Sequence, residues 1–201
     1  MALFNETDSR EIPEGGAALV PGTPPVPGTP PERPRAIAST ETALPPPAGW
    51  GDTLTGTDGP RYWDRVILSE GARYNRYKRP ATVVLVEITA LDSLARHWGP
   101  EVAQRTLVVA ARRLAKEVRP CDHIARIEPA RFGIVLTETN EIAAINFVER
   151  VRAACEREVR VASELVGVAF GWASPPAKGS LADALGLAGQ RLETEIRGVA
   201  G

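Results

Sequence analysis

Arg119 and Asp122 lie three positions apart in the sequence Arg-Pro-Cys-Asp and bring two opposite charges close together in the chain. An arginine can donate paired hydrogen bonds to a phosphate or a carboxylate, and a carboxylate can accept hydrogen bonds from N–H groups. A turn of this length can direct both side chains at one ligand. A structural interpretation stays open, because Arg119 would follow a helix whose dipole it offsets, and Asp122 would cap the turn.

Glu87 and Glu128 are candidates for metal chemistry. Glu87 stands near the end of an apolar run, and Glu128 lies in a short connection between two predicted strands. Carboxylates can hold Mg²⁺, but a single carboxylate is a poor magnesium site. Glu87 by itself therefore favours a strand end that faces solvent. No cysteine and histidine spacing suggests zinc, and we expect no resident cofactor.

Composition limits the class of protein. The chain has 201 residues, of which 43% are hydrophobic and 24% charged, with a formal net charge of −1. These values are typical of a globular domain with a tail, and they argue against binding to nucleic acid or to a membrane. The N-terminus lacks the features of a secretory signal, and Cys121 and Cys155 do not suggest a disulfide framework. We therefore expect a cytoplasmic protein with free thiols.

Residues 1–50 have a separate composition. They contain 11 of the 18 prolines and include the short repeat Pro-Gly-Thr-Pro-Pro-Val-Pro-Gly-Thr-Pro-Pro. Proline removes backbone donors and favours extended polyproline II conformations, so this segment is predicted to be a disordered spacer. Its PxxP spacing is also compatible with docking to a partner. The folded domain is expected over residues 51–201.

The periodicity after residue 51 predicts the order helix, strand, helix, helix, hairpin, helix, strand, helix. One hairpin is antiparallel, while the other connections are helical crossovers. These features predict an α/β fold with a central mixed sheet flanked by helices. The predicted strands are Ala81–Ile88, His123–Ile127, Phe132–Leu136 and Leu165–Phe170, and the predicted helices cover residues 62–77, 91–98, 100 to about 118, 141–156 and 180–196.

This element order, together with several motifs, resembles the GGDEF domain of diguanylate cyclases over about Asp52 to Gly198. Asp52-Thr53-Leu54-Thr55-Gly56 is similar to the opening motif of the family, and Arg61-Tyr62-Trp63 is similar to the arginine and aromatic positions that follow. Glu87 stands at the position of the first metal-binding aspartate. The resemblance implies a sheet related to the palm of nucleotide cyclases. We also expect Asp52 to pair with Arg126 and brace the start of the domain.

The signature motif of the family is replaced in this chain. Its Gly-Gly-(Asp/Glu)-Glu-Phe aligns with Glu128-Pro129-Ala130-Arg131-Phe132. Ala130 cannot supply the second metal-binding carboxylate, and Pro129 has no N–H to donate to a phosphate. Glu128 would add negative charge beside a triphosphate. The resemblance therefore predicts a domain without cyclase activity.

The guanine-reading positions have also changed. Ala95 and Gln104 stand where active members of the family use an asparagine and an aspartate. Each hydrogen bond lost in this way weakens binding by ~1–3 kcal/mol. In the last helix, Gly189, Glu193 and Ile196 stand in place of the aspartate, tyrosine and lysine of the family.

The leading hypothesis is an inactive GGDEF-like signalling domain that acts by binding. Arg119 and Asp122 match the RxxD inhibitory site, which binds cyclic di-GMP in the family. That site needs further arginines, and the candidates are Arg112, Arg113, Arg150 and Arg152.

Two alternatives stay open. One is a protein-interaction adaptor without nucleotide binding. The other is a divergent cyclase that holds magnesium with Glu87 and Glu128, provided both lie at one edge of the sheet. A protein partner acting in trans and a homodimer are both compatible with the sequence.

Overall fold

The computed structural model describes residues 44–162 and 166–199, and its elements follow the predicted order. The predicted disordered spacer falls mostly on residues 1–43, outside the described residues. Leu44 is 2% exposed in the core, so the described fold already begins before the predicted boundary at residue 51. The elements are α1 (Pro60–Tyr77), β1 (Ala81–Thr89), α2 (Leu91–Trp98), α3 (Pro100–Glu117), β2 (His123–Glu128), β3 (Arg131–Thr137), α4 (Glu141–Ala162), β4 (Gly167–Ala173) and α5 (Leu181–Val199).

The sheet has the strand order β2-β3-β1-β4, and every pairing between these strands is antiparallel. The α/β class and the helix-flanked sheet are confirmed, but the predicted mixed pairing is wrong for these strands. The helical crossovers join β1 to β2 and β3 to β4, and in each case another strand lies between the two. Strands that run in the same direction are therefore not neighbours in the sheet.

Helices cover both faces of the sheet. Alternate residues of a strand point to opposite faces, and β1 places Val84 and Val86 against α2, α3 and α4. Val83 and Leu85 of the same strand pack instead against α1 and α5. Burial on both faces explains why the sequence of β1 is a nearly continuous run of apolar residues.

The boundaries of two elements follow from local chemistry. The Ser180 N–H donates to Asp183 Oδ2 (2.7 Å), and the Asp183 N–H donates to Ser180 Oγ (3.2 Å), which confirms the predicted cap of α5. Strand β4 continues through Gly171 to Ala173, beyond the predicted end at Phe170. A Cβ at Gly171 would lie 2.1 Å from the Ala188 carbonyl oxygen, so glycine permits α5 to pack closely on the strand.

The structure also bears on the expectations drawn from composition. Cys121 is exposed and Cys155 is buried, and both are free thiols, as predicted. Burial raises the pKa of Cys155 to about 12. Among the described helices, none combines the length and apolar character needed to cross a membrane.

Candidate functional site

Arg131 lies at the centre of a cluster of carboxylates beside the β2–β3 hairpin. The strand register places Arg131 directly opposite Glu87. Arg131 Nε donates to Glu87 Oε2 (2.7 Å), Nη1 donates to Glu128 Oε1 (3.3 Å), and Nη2 donates to Glu193 Oε1 (3.0 Å). These four residues, which come from β1, the hairpin and α5, are called the Arg131 cluster below.

The electrostatics of the Arg131 cluster favour the charged guanidinium. Burial alone would lower the pKa of Arg131, but the hydrogen bond from Arg131 to Glu87 and the negative charges of Glu87, Glu128 and Glu193 raise it above its ordinary value. The side chain of Arg131 is 18% exposed, so this cation is partly shielded from solvent. Glu87 is therefore not the free, solvent-facing carboxylate that the sequence favoured, because it is paired with Arg131.

The residues of the Arg131 cluster do not fit a magnesium ion. Glu87 and Glu128 do lie at one edge of the sheet, as the cyclase alternative required, but a guanidinium lies between them. Within the described residues, no three His, Cys, Asp or Glu side chains are grouped as metal ligands. A divalent cation at this edge would have to compete with the positive charge of Arg131.

The turn of the hairpin consists of Pro129 and Ala130. Neither residue has a positive φ, so the turn lacks the left-handed conformation that glycine commonly supplies at phosphate-binding turns. The Pro129 carbonyl accepts hydrogen bonds from Nε (3.1 Å) and Nη2 (2.8 Å) of Arg126. The Ala130 carbonyl accepts from the Ile88 N–H (3.0 Å). The turn is thus bound to the body of the domain through its carbonyl groups.

Arg126 holds the hairpin to the start of the domain. Its Nη1 donates to Asp52 Oδ1 (3.0 Å), and both side chains are buried, which confirms the predicted pairing. Its Nη2 also donates to the Pro45 carbonyl (2.6 Å). Burial lowers the pKa of Arg126, and Asp52 only partly offsets this effect.

Ala95 and Gln104, the positions predicted to correspond to the guanine-reading residues of the family, lie on α2 and α3. Ala95 is half-buried and packs against the core on the face of the sheet that α2, α3 and α4 cover. Gln104 is half-buried on α3. At the last helix, Glu193 points to the hairpin and belongs to the Arg131 cluster.

The Arg119–Asp122 turn separates α3 from β2. Asp122 Oδ2 accepts from the Arg119 N–H (3.1 Å), while Oδ1 accepts from the N–H (3.0 Å) and the hydroxyl (3.3 Å) of Thr137. The carboxylate therefore caps the turn and joins it to β3. The guanidinium of Arg119 is exposed and has no hydrogen bond or ion pair with any residue that the structure describes.

The four further candidate arginines do not converge on one place. Arg113 and Arg150 both bind Glu117, with Arg150 Nε 2.8 Å from Glu117 Oε2. Arg152 pairs instead with Glu195 at the far edge of the sheet (2.7 Å). Arg112 is exposed and lacks a partner among the described residues.

Sequence reasoning missed the partners of these arginines. The interval of four positions between Arg113 and Glu117 was a usable signal, since such pairs face each other on a helix. The contact between Arg131 and Glu87 required the strand register, which no local pattern reveals.

The fold and the site together define an α/β domain in which a β-hairpin lies beside the end of the central strand of a helix-flanked sheet. The family model for "Diguanylate cyclase, GGDEF domain" matches residues 50–195. The chain therefore belongs to the GGDEF domain family.

Curated relatives include diguanylate cyclases of Escherichia coli K12. The chain is 28% identical over 100 residues to the probable diguanylate cyclase DgcC, covering 50% of this chain and 27% of that protein. It is 26% identical over 106 residues to the diguanylate cyclase DosC, covering 53% of this chain and 23% of that protein. The matches thus span about a quarter of the length of these relatives.

Solved structures agree with the family assignment. The GGDEF domain of DgcB from Caulobacter crescentus, in complex with cyclic di-GMP, has a TM-score of 0.67 at 16% identity, covering 75% of this chain and 92% of that one. Diguanylate cyclase SiaD from Pseudomonas aeruginosa, in complex with its activator SiaC, also has a TM-score of 0.67, at 24% identity, covering 75% and 59%. These similarities confirm the predicted GGDEF-like fold.

Proposed function

We propose that this GGDEF domain is catalytically inactive and acts in signalling by binding. The observation that carries the proposal is the position of the Arg131 guanidinium between Glu87, Glu128 and Glu193. Phosphodiester formation from nucleoside triphosphates depends on metal ions that carboxylates hold next to the phosphates. In this chain the carboxylates at the hairpin neutralise an arginine of the protein itself.

The hairpin turn supports the same proposal. The Pro129 nitrogen carries no hydrogen, and its carbonyl is bound to Arg126. A triphosphate that approached this turn would meet Glu128, whose side chain is 55% exposed, and would find fewer backbone donors than a glycine turn offers. Loss of the metal ligand and loss of the phosphate cradle act against the same reaction.

Incubation of the full chain with GTP and either Mg²⁺ or Mn²⁺, followed by chromatography of the nucleotides, tests the proposal. We expect no cyclic di-GMP and no linear dinucleotide, while a diguanylate cyclase in the same buffer provides the positive control. Product that disappears in the Glu87→Gln variant would contradict the proposal and favour the divergent-cyclase alternative.

A second proposal concerns cyclic di-GMP as a ligand of the Arg119–Asp122 turn. No described residue accepts a hydrogen bond from the Arg119 guanidinium. Asp122 Oδ2 accepts one hydrogen bond from the described residues, which leaves an acceptor position for a guanine N–H. A related GGDEF domain was solved with cyclic di-GMP, which supports this ligand class.

Calorimetric titration with cyclic di-GMP distinguishes a receptor from an adaptor. We expect binding to the full chain that is lost in Arg119→Ala and kept in Arg105→Ala, which changes an exposed arginine in the first half of α3. Absence of heat in all three proteins, with no ligand-dependent change in thermal stability, would overturn the receptor proposal. A protein partner in trans would then be the remaining candidate, and the complex of SiaD with its activator SiaC is a precedent in the fold.

A further inference from the structure

The outer edge of β4 is closed by charged side chains rather than by another described strand. β4 is the last strand of the sheet, with β1 on its inner side. Four outward backbone groups of this edge are bound by side chains. Arg152 Nη1 donates to the Val168 carbonyl (3.4 Å), Glu195 Oε1 accepts from the Phe170 N–H (3.2 Å), Arg191 donates to the Trp172 carbonyl, and Glu141 Oε2 accepts from the Ser174 N–H (3.3 Å).

These side chains connect the two faces of the domain across the edge. Glu141 and Arg152 belong to α4 on one face, and Arg191 and Glu195 belong to α5 on the other. Arg191 pairs with Glu141, and Arg152 pairs with Glu195 (2.7 Å). Along the edge the charges therefore alternate, in the order Arg152, Glu195, Arg191, Glu141.

An apolar groove lies beside this edge of β4. It has a volume of about 730 Å³, and its apolar lining includes Ile142, Ile145, Phe170 and Trp172. Ile142 is 78% exposed and Ile145 is 42% exposed. The two isoleucines are three positions apart on α4, so they lie on one face of the helix and form a patch rather than isolated exposed positions.

We propose that the β4 edge is a homodimer interface, in which it pairs antiparallel with the β4 edge of a second copy. A two-fold axis perpendicular to the sheet near Gly171 places Phe170 opposite Trp172 of the second copy, and Val168 opposite Ser174 of the second copy. The Phe170 N–H and the Trp172 carbonyl, now bound by side chains, then bind each other across the axis. The two sheets become one continuous sheet.

Charge complementarity identifies a second copy as the occupant. The two-fold axis keeps each helix on its own face, so α4 lies antiparallel to α4 of the second copy. Glu141 then meets Arg152 of the second copy, and Arg191 on α5 meets Glu195 of the second copy. Each ion pair within the monomer is exchanged for one between copies, as an isologous interface requires. A foreign strand without this charge order would leave the displaced charges unpaired.

Sedimentation velocity of the full chain over a range of concentrations tests the interface. The double variant Glu141→Arg/Arg191→Glu keeps opposite charges at the two positions within the monomer. Between copies, however, it places like charges opposite each other on both faces. We expect wild type to dimerise at micromolar concentrations and the double variant to dissociate at least ~10-fold more readily. The further changes Arg152→Glu and Glu195→Arg reverse the remaining charges, so the quadruple variant should dimerise again.

The control exchanges an exposed ion pair on α3, in the variant Glu101→Arg/Arg105→Glu, and should leave dimerisation unchanged. Hydrogen exchange of the wild-type chain provides a readout that needs no variant, because protection of the Phe170 and Trp172 amides should rise with protein concentration. A wild-type chain that stays monomeric, or a dimer that the double variant does not weaken, would overturn the proposal. Neither result bears on nucleotide binding, so this proposal and the proposed function fail independently.

Discussion

Arg126 and Arg131 belong to the same hairpin but have opposite environments. Arg126 is fully buried and binds Asp52 together with the carbonyls of Pro45 and Pro129. Arg131 lies near the surface and binds three glutamates, two of which are more than half exposed. The contrast shows that one arginine joins the hairpin to the start of the domain, while the other neutralises carboxylates at the edge of the sheet.

The largest difference between the two arginines should appear in stability. Arg126→Met leaves the buried Asp52 carboxylate without its cation, and removing one partner of a buried pair costs about 3–5 kcal/mol. Urea denaturation measures the change in the free energy of unfolding. Arg131→Met, the matched control, should cost about 1 kcal/mol or less because two of its three carboxylate partners are more than half exposed. Equal losses in the two variants would show that the environments do not differ energetically.

The Arg119–Asp122 turn also combines a residue that stabilises the fold with a residue that is exposed, and the expected difference in stability is smaller. Asp122→Ala removes the acceptor of the Arg119 and Thr137 N–H groups and should lower the free energy of unfolding by about 1–3 kcal/mol. Arg119→Ala should change it by no more than about 0.5 kcal/mol, because the side chain is exposed. Thermal and urea unfolding of both variants provide the measurement, and a large loss in Arg119→Ala would indicate a structural contact for this arginine.

We predict that removal of the Arg131 guanidinium raises the affinity of the Arg131 cluster for a divalent cation. Arg131→Ala releases Glu87, Glu128 and Glu193 from their shared cation, so the variant should gain weak Mn²⁺ binding that wild type lacks. Electron paramagnetic resonance of free Mn²⁺ measures this affinity directly. Adding Glu87→Gln to the variant should reduce the gain. Equal Mn²⁺ binding by wild type would mean that the guanidinium does not exclude the cation.

The smallest expected effect is the pH dependence of a paired carboxylate away from the hairpin. The hydrogen bond from Arg150, with the charges of Arg113 and Arg150, holds the pKa of Glu117 below its ordinary value of 4.5 despite burial. A carboxyl with a lowered folded pKa stabilises the protein above its unfolded pKa, and this contribution is lost as pH falls through the folded value. Glu117→Gln should therefore make the fall in stability below about pH 4.5 shallower.

Chemical denaturation at a series of acidic pH values measures that slope. Glu101→Gln is the matched control, because the Glu101 side chain is 83% exposed and lies 3.8 Å from Arg105. An unchanged slope in Glu117→Gln would contradict the assigned role of the Arg150 hydrogen bond.

Most of the fold could be predicted from local patterns. The β-branched run at Ala81–Ile88 identified β1, and the Ser180–Asp183 spacing identified the start of α5. The pairing of the strands could not be predicted from local patterns. Whether two neighbouring strands are parallel or antiparallel depends on which strands are inserted between others. The end of β4 was also predicted wrongly, because the strand continues through Gly171. Glycine is needed there for the close packing of α5, which is a tertiary contact.

The candidate site shows the same limit. Its residue types could be identified from their positions in the motif, as with Ala130 and Pro129, and these support the proposal that the domain is inactive. The environment of Glu87 could not be identified, because its partner Arg131 is far away in the chain and becomes its neighbour only through the register of β1 and β3.

The sequence by itself determined the element order, the apolar faces and the altered signature motif, because each depends on residues that are close along the chain. Tertiary structure alone decided which charges meet. It placed Arg131 among three glutamates, turned Asp122 toward Thr137, and aligned alternating charges along the β4 edge. Electrostatic energies depend on separation and burial, and for residues far apart in the chain only the folded arrangement of strands and helices determines both.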